Sequence, residues 1–243
     1  HALVSAGAKV YIASRKYAAC QKAAEHLTNL AGQCIPFAAD LSSEEGVLSL
    51  ARYIGETEKN LNILVNNSGK SWGAPFEEFP WQAWQDIMTL NVTAPFALTR
   101  ELTPLLSASG TTDDPSRVVN IGSVMGSEPH GFPAYSYSAS KAALHHVTRY
   151  LSNELAQRHI TVNAIAPGPF PIGMTAFFAE DEKLTSAVVR GVPLGRMGRP
   201  EDFAGLILCL CGISGAYMTG AVIPLDGGMS SARTLGLEQG IAR

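Results

Sequence analysis

Residues 62–69 read Asn62-Ile-Leu-Val-Asn-Asn-Ser-Gly69, an apolar run that passes directly into a polar loop ending in glycine. Short apolar runs bounded by turn-forming residues are typical of buried strands, so we predict a strand over 62–65. Helical patterns flank this strand, over 48–61 on one side and over 81–106 on the other. A buried strand between two helices is the repeating unit of a parallel sheet that is covered on both faces.

The same alternation continues through the rest of the chain. Further strands are predicted over 9–13, 33–39, 117–121, 160–165 and 221–225, and further helices over 16–30, 137–158 and 202–211. We therefore predict an α/β fold in which a doubly wound parallel sheet lies between two layers of helices, formed by a single domain over 1–243.

The composition excludes several classes of function. Of the 243 residues, 46% are hydrophobic and 16% are charged, which is typical of a globular protein. The formal net charge of -3 provides no basic field, so we predict no nucleic-acid partner and no membrane association. The uncharged stretch 203–225 is long enough to span a membrane, but its internal glycines divide it into a helix and a strand. The four cysteines have no CxxC spacing and are typical of free thiols in a reducing compartment, which predicts a cytoplasmic location.

Tyr137 and Lys141 lie four residues apart, which places a phenol and an ammonium one turn apart on the same face of a helix. A nearby ammonium favours the phenolate and lowers a pKa that is normally about 10, which suits a tyrosine to acid or base catalysis. The same spacing also arises by chance in ordinary surface pairs. No other tyrosine of the chain has a lysine four residues later, so this pair is the candidate.

Polar residues follow two of the predicted strands, where the carboxyl ends of parallel strands form a ligand crevice. Ser123 comes directly after the strand over 117–121, so its hydroxyl is a candidate to hold a carbonyl oxygen; a solvated turn serine is the alternative. The loop 66–69 occupies the same edge one strand earlier, and its glycine permits close approach to a flat ligand. Asn91 is a poor helix former inside a helical pattern and is a candidate to order a water molecule.

Ser14, Arg15 and Lys16 follow the strand over 9–13, at the position where a dinucleotide-binding fold contacts the adenosine ribose. An acidic residue there would bind free ribose hydroxyls, whereas cationic side chains fit a 2′-phosphate. The alternative is an ordinary basic helix start, although two cations in a first turn oppose the helix dipole.

The motifs, taken in their order along the chain, resemble the short-chain dehydrogenase/reductase family over nearly the whole sequence. They are Asp40-Leu41, Asn66-Asn67-Ser68-Gly69, Asn91-Val92, Ser123, Tyr137 with Lys141, Pro167-Gly168 and Asp226-Gly227-Gly228. Within that family the chain is most similar to β-ketoacyl (3-oxoacyl-[acyl-carrier-protein]) reductases of the rhamnolipid-pathway type and their fungal relatives. The resemblance implies a Rossmann-like three-layer fold.

The resemblance also implies an activity, the NADPH-dependent reduction of a ketone or 3-oxoacyl thioester to a secondary alcohol. Tyr137 would exchange a proton with the substrate oxygen, while Lys141 would lower the pKa of that tyrosine and hold the nicotinamide ribose. Ser123 would orient the carbonyl, and Asn91 would support a water-linked proton relay. No metal is implied.

The implied cofactor is NADP(H), with Arg15, assisted by Ser14 and Lys16, at the 2′-phosphate. Asp40 would contact the adenine, and the remaining implied cofactor-binding residues are Leu41, Asn67, Ser68, Gly69, Pro167, Gly168 and Ile172. The two long helices over 81–106 and 137–158 resemble the family's oligomer interface, which implies a homodimer or homotetramer.

The chain departs from the family pattern in two places. Ile172 stands where family members usually carry a threonine or serine that contacts the carboxamide. The first strand and its glycine-rich pyrophosphate turn are not found before residue 1, so we expect some twenty to thirty further residues there, on the spacing of such units. A circular permutation, in which Gly236 and Gly240 supply that turn, is the alternative.

Parts of the sequence also match other classes of protein. Gly69-Lys-Ser71-Trp-Gly73 matches the nucleophile elbow of an α/β-hydrolase, but Pro75 follows too soon for the serine to open into a helix. A catalytically silent dinucleotide-binding protein would be expected to lose Tyr137 or Lys141, and both are present. Phe177 and Phe178 form either an apolar lid over the substrate or plain helix packing.

Overall fold

The computed structural model describes residues 1–129, 133–171 and 182–231. The strands formed by these residues are β1 (Lys9–Ser14), β2 (Gln33–Ala38), β3 (Ile63–Asn66), β4 (Ser116–Ile121), β5 (Ile160–Pro167) and β6 (Val222–Leu225). The helices are α1 (Ala2–Ser5), α2 (Tyr17–His26), α3 (Glu44–Thr57), α4 (Trp81–Met88), α5 (Ala94–Ser109), α6 (Tyr135–Ala156), α7 (Glu182–Arg190) and α8 (Pro200–Cys211).

Every strand pair is parallel, as the alternating pattern predicts. β1 pairs with β2, and the remaining four strands form a sheet in the order β3-β4-β5-β6. In a doubly wound sheet a further strand lies between these two halves and pairs with both of them. None of the residues that the structure describes forms such a connecting strand. Hydrogen bonds from Ser42 lower the pKa of Asp40, just after β2, and the charge of Lys70, just after β3, also lowers it. The carboxyl ends of the two halves therefore lie near each other.

Two apolar clusters hold the helices against the sheet. The larger joins α3, α5 and the end of α6 to the strands, and its centre includes Leu106, Val118 and Val162, all fully buried. The smaller lies under α8, where Ile207 and Leu210 pack against Val119 and Ile165. The sheet therefore lies between two helical layers, and the predicted α/β fold class is confirmed.

The helix predicted over 81–106 is interrupted. A π-helical turn, Thr89–Thr93, separates α4 from α5. Pro95 explains the interruption, because it has no N–H to donate to the carbonyl of Asn91, four residues earlier. Single π turns are concentrated at functional sites, and this one carries Asn91.

The uncharged stretch 203–225 is divided between a helix and a strand, as predicted, with α8 ending at Cys211 and β6 beginning at Val222. None of the described helices combines the length and apolar character needed to cross a membrane. Helix α7 was not predicted, although its sequence is amphipathic, and the structure buries none of its side chains.

Candidate active site

The carboxyl edge of the sheet brings Ser123, Tyr137 and Lys141 together. Ser123 follows β4, is 7% exposed, and makes a side-chain hydrogen bond with Tyr137. Tyr137 and Lys141 lie in the first two turns of α6, and the Lys141 Nζ is 5.6 Å from the centroid of the Tyr137 ring. The three candidate catalytic side chains therefore form one cluster.

Burial controls the charges in this cluster. The pKa of Tyr137 is raised above 10.0 because the phenol is removed from water, and the hydrogen bond with Ser123 opposes that rise. We expected Lys141 to lower this pKa, but burial sets the net direction, and Lys141 makes no hydrogen bond to the phenol that would counter it. The reason is geometric, since the Lys141 ammonium donates to the carbonyl of Ile121 at 2.6 Å rather than to the phenol.

Lys141 is only 4% exposed, and burial lowers its pKa from 10.5 to about 8. An ammonium has three hydrogen atoms to donate, and the described residues give it one acceptor, Ile121 O. A buried cation with donors to spare fits a ligand that offers hydroxyl groups, such as the ribose of a nicotinamide nucleotide. This observation supports the nucleotide that the motifs imply.

Asn91 fixes the loop after β3. Its side-chain oxygen accepts from Lys70 N at 3.0 Å, and its amide donates to Lys70 O and to Ser140 Oγ, each at 3.0 Å. Ser140 in turn donates to the carbonyl of Tyr137. The amide of Asn91 thus connects the loop to the first turn of α6, a positioning role that the sequence analysis did not assign to it.

The side chain of Lys70, which belongs to the same loop, connects the loop to α4. Its Nζ lies 2.7 Å from Asp86 Oδ2, and Gln82 also donates to Asp86. Sequence reasoning missed this pair, because its members are separated by the loop and have no characteristic spacing. Residue Gly69 lies within this arrangement, since a Cβ there would be 3.2 Å from Asn91 Oδ1 and 3.7 Å from Lys141 Nζ.

A buried polar ladder lies beneath the site and was also missed. Asn66 donates to Thr99 Oγ1 and to Asn120 Oδ1, and Asn120 donates to Thr148 Oγ1. These bonds connect α5, β3, β4 and α6 below the cluster of catalytic candidates. Buried polar networks of this kind fix the relative positions of the elements that they join.

The residues assigned to the adenosine end lie after β1 and β2. Arg15 Nε is 3.9 Å from Asp40 Oδ1, and both side chains are solvent-exposed. Ser14 Oγ accepts from Lys16 N, and Lys16 is the N-cap of α2, which has no acidic residue in its first turn. Arg15 and Lys16 therefore lie at the start of α2, and Arg15 has a long, exposed ionic contact with Asp40. Two cations in this position are able to bind a phosphate group.

The other assigned cofactor residues surround the same edge. Asp40 Oδ1 accepts two hydrogen bonds from Ser42, which hold the pKa of that carboxyl below its usual range. Leu41 packs against the larger core cluster. Asn67 is exposed and Ser68 half-buried in the loop after β3.

The loop after β5 approaches β6 closely. Gly168 donates to Leu225 O at 3.0 Å, and a Cβ on Gly168 would be 2.8 Å from the Cα of Asp226. Any side chain at position 168 would force the loop after β5 away from the loop after β6. Pro167 and Gly168 therefore lie in close contact with the backbone after β6. Ile172, Phe177, Phe178 and the glycines at 236 and 240 lie outside the residues that the structure describes.

Ser71 is not placed as a hydrolase nucleophile. It is exposed in a loop, and the first α-helix after it begins at Trp81. A nucleophile elbow requires the serine at a strand-to-helix turn. The structure therefore gives no support to the hydrolase alternative.

An open cavity of about 580 Å³ borders the first turn of α6. Its walls are mostly aromatic, with Phe76, Phe79, Trp84 and Tyr135 among the lining residues. The Phe79 ring meets Tyr135 edge to face at 5.3 Å. This volume lies within the range of small-molecule sites, roughly 300–1,000 Å³.

The fold and site define the class of protein. The family model described as Enoyl-(Acyl carrier protein) reductase matches residues 1–230, and the chain belongs to the short-chain dehydrogenase/reductase family of oxidoreductases. The predictions of that family, of a reductase and of NADP(H) as cofactor are confirmed.

Two relatives and one solved structure show the similarity in more detail. The chain is 49% identical, over 93% of its length and 88% of the relative's, to the rhamnolipids biosynthesis 3-oxoacyl-[acyl-carrier-protein] reductase of Pseudomonas aeruginosa. It is 33% identical, over 79% of its length and 76% of the relative's, to the acetoacetyl-CoA reductase of Allochromatium vinosum. A solved Pseudomonas aeruginosa RhlG/NADP active-site complex superposes with a TM-score of 0.91, at 48% identity, covering 94% of this chain and 89% of that one.

Proposed function

We propose that this reductase transfers hydride from NADPH to the keto group of a 3-oxoacyl thioester or similar ketone and yields the secondary alcohol. The observation that carries the proposal is the cluster of Ser123, Tyr137 and Lys141 at the carboxyl edge of the sheet. Relatives named as 3-oxoacyl-[acyl-carrier-protein] and acetoacetyl-CoA reductases support a 3-oxoacyl thioester as the substrate class.

The proton chemistry follows from the state of each side chain. NADPH, when bound, supplies the hydride that attacks the carbonyl carbon. Ser123 Oγ holds the carbonyl oxygen, and the Tyr137 hydroxyl donates its proton to that oxygen as the alkoxide develops. The raised pKa of Tyr137 keeps the phenol protonated at neutral pH, which is the state that a proton donor needs.

Lys141 supports both partners of the reaction. Its spare donors would hold the nicotinamide ribose, and its positive charge would stabilise the phenolate left on Tyr137 after proton transfer. Asn91 would hold the loop that lines the nucleotide through the peptide of Lys70, and the water-linked relay at Asn91 stays a prediction. Solvent protons then restore the phenol for the next turnover.

The selection of NADPH over NADH is assigned to Arg15, with Lys16 and Ser14. Arg15 would exchange its long contact to Asp40 for the 2′-phosphate, a more highly charged acceptor. Asp40, Leu41, Asn67, Ser68, Gly69, Pro167, Gly168 and Ile172 complete the proposed nucleotide site. The aromatic cavity beside α6 would receive the apolar part of the substrate.

The chain is further proposed to work as a homodimer or homotetramer in the cytoplasm. Phe96 on α5 and Tyr150 on α6 are large apolar side chains that are 43% and 72% exposed, which supports an interface on these helices. None of the four cysteines forms a disulfide, which agrees with a reducing compartment.

The test of the proposed function is the substitution Tyr137→Phe. It removes the proton donor and retains the ring, so reduction of acetoacetyl-CoA, followed by loss of NADPH absorbance, should fall by about 10³-fold or more. NADPH affinity, measured by fluorescence titration, should change by less than about threefold. Turnover within a few fold of the wild type would refute the proposed role of Tyr137.

A further inference from the structure

His145 lies one turn beyond Lys141 on α6 and belongs to none of the roles described above. It is 3% exposed, and its Nε2 accepts a hydrogen bond from the backbone N–H of Ser123 at 3.4 Å. A histidine that accepts through Nε2 is neutral and carries its proton on Nδ1. The burial of the ring and the charges of Lys141 and Arg149 lower the pKa of His145 to about 4, so the ring stays neutral at working pH.

The imidazole is enclosed by the backbone on both sides of Ser123. A Cβ on Gly122 would be 2.2 Å from Nε2, and a Cβ on Gly126 would be 2.8 Å from Cε1 of the same ring. Both positions therefore require glycine if the ring is to reach the Ser123 N–H. Contact this close leaves the segment from Gly122 to Gly126 little freedom to shift relative to α6.

Two successive turns of α6, together with strand β5, make hydrogen bonds to the backbone of Gly122 and of the residues on either side of it. Lys141 donates to Ile121 O, Gly122 donates to Ile165 O on β5, and His145 accepts from Ser123 N. The Ser123 Oγ itself accepts from Met125 N at 3.2 Å, which sets the direction of the hydroxyl. With His145, the backbone N–H groups of Gly122 and Ser123 both have an acceptor.

We propose that His145 is a positioning residue, whose neutral Nε2 fixes the backbone of Ser123 and thereby places the Ser123 hydroxyl against Tyr137 and the substrate carbonyl. The inference rests on the proposed function, because it concerns the serine that orients the carbonyl. It requires an acceptor at the position of Nε2 and no proton transfer by His145. Small misplacement of a catalytic group lowers the rate of the chemical step, with losses of about 10²-fold for about 1 Å.

The test compares two substitutions of similar length. His145→Gln places an amide oxygen near the position of Nε2, and His145→Met places a thioether there, which is a far weaker acceptor. We expect His145→Met to lower kcat for acetoacetyl-CoA reduction by about 10- to 100-fold, with the KM for NADPH within about twofold of the wild type. His145→Gln should recover kcat to within about threefold. Equal kcat values in the two variants, or a loss of NADPH affinity in step with kcat, would overturn the proposal.

A double-variant cycle distinguishes this inference from the proposed function. If His145 acts through Ser123, adding His145→Met to Ser123→Ala should change kcat by less than about twofold, whereas independent effects would multiply. A multiplied loss would overturn the positioning role. An active Ser123→Ala enzyme would instead count against the proposed function, and wild-type-like activity of His145→Met with an inactive Ser123→Ala would count against the inference alone.

A second pair of variants covers the case in which His145→Met does not fold. Asparagine presents its oxygen near the position of Nδ1, whereas glutamine reaches that of Nε2. His145→Gln should therefore exceed His145→Asn in kcat by about tenfold at matched thermal stability. Equal activity of these two variants would also overturn the proposal.

Discussion

The buried charge of Lys141 should make the active site less stable than a site with a neutral side chain at that position. The pKa of Lys141 falls from 10.5 to about 8 on burial, and each pH unit is equivalent to about 1.4 kcal/mol. At about pH 7 the charge therefore lowers the free energy of unfolding by about 3 kcal/mol. Lys141→Met keeps a stem of similar length and removes the charge.

The gain is partly offset, because methionine cannot donate to Ile121 O as Lys141 does at 2.6 Å. The loss of a buried hydrogen bond from a charged donor costs about 2 kcal/mol, so Lys141→Met should be more stable than the wild type by about 1 kcal/mol at about pH 7. The measurement is urea unfolding of both proteins without nucleotide, compared at equal m-values. The same variant should lose ketone reduction, because it removes both the ribose donors and the charge beside Tyr137.

The pH dependence provides the control. A lysine whose pKa is lowered in the folded protein carries its full penalty below about pH 8, and the penalty disappears as the pH rises toward 10.5. At about pH 9.5 the remaining penalty is about 1.4 kcal/mol, slightly below the cost of the lost hydrogen bond, so the advantage of the variant should be lost. A Lys141→Met variant that is less stable at about pH 7, or a difference that does not shrink with pH, would refute this reasoning.

Two further predictions concern the nucleotide and the packing around Ser123. Arg15→Ala should raise the KM for NADPH by about tenfold or more and that for NADH by less than about twofold, because only NADPH carries a 2′-phosphate; equal changes in the two KM values would contradict the assignment of Arg15. Gly122→Ala should lower the melting temperature by several degrees or prevent folding, since the new Cβ would meet His145 Nε2 at 2.2 Å. Gly55→Ala is the matched control, because nothing lies within 4 Å of a Cβ there and helix α3 should gain about 0.5 kcal/mol. Similar melting temperatures for the two glycine variants would show that the packing at Gly122 is not tight.

The strands and most helices could be predicted because parallel strands are buried on both faces and appear as short apolar runs. The strand predicted over 117–121 is β4, Ser116–Ile121, and the helix predicted over 137–158 is α6, Tyr135–Ala156. The π turn could not be predicted from apolar periodicity, since it depends on which carbonyl Pro95 leaves without its usual donor. Its position on Asn91 explains why a poor helix former is found inside a long helical pattern.

The chemical cluster could be predicted because Tyr137 and Lys141 are close in sequence and Ser123 directly follows a strand. The contacts that position the cluster were missed, although Asn91 itself was a candidate, because the partners in these contacts are far away along the chain. His145 and Asn91 contact backbone groups 22 and 21 residues away, respectively. No local spacing indicates such contacts, and a histidine in an apolar helix face is equally typical of ordinary packing.

Helix α6 carries two buried basic side chains on adjacent turns, and their different charges follow from their pKa values. With a pKa of about 8, Lys141 is largely charged at neutral pH, whereas His145, with a pKa of about 4, is neutral. If both were charged, two cations would repel each other in a region with little water, and His145 could no longer accept from Ser123. The charge of Lys141 therefore helps to keep His145 in the form that binds the backbone, so the residue proposed to hold the ribose also supports the position of the serine proposed to hold the carbonyl.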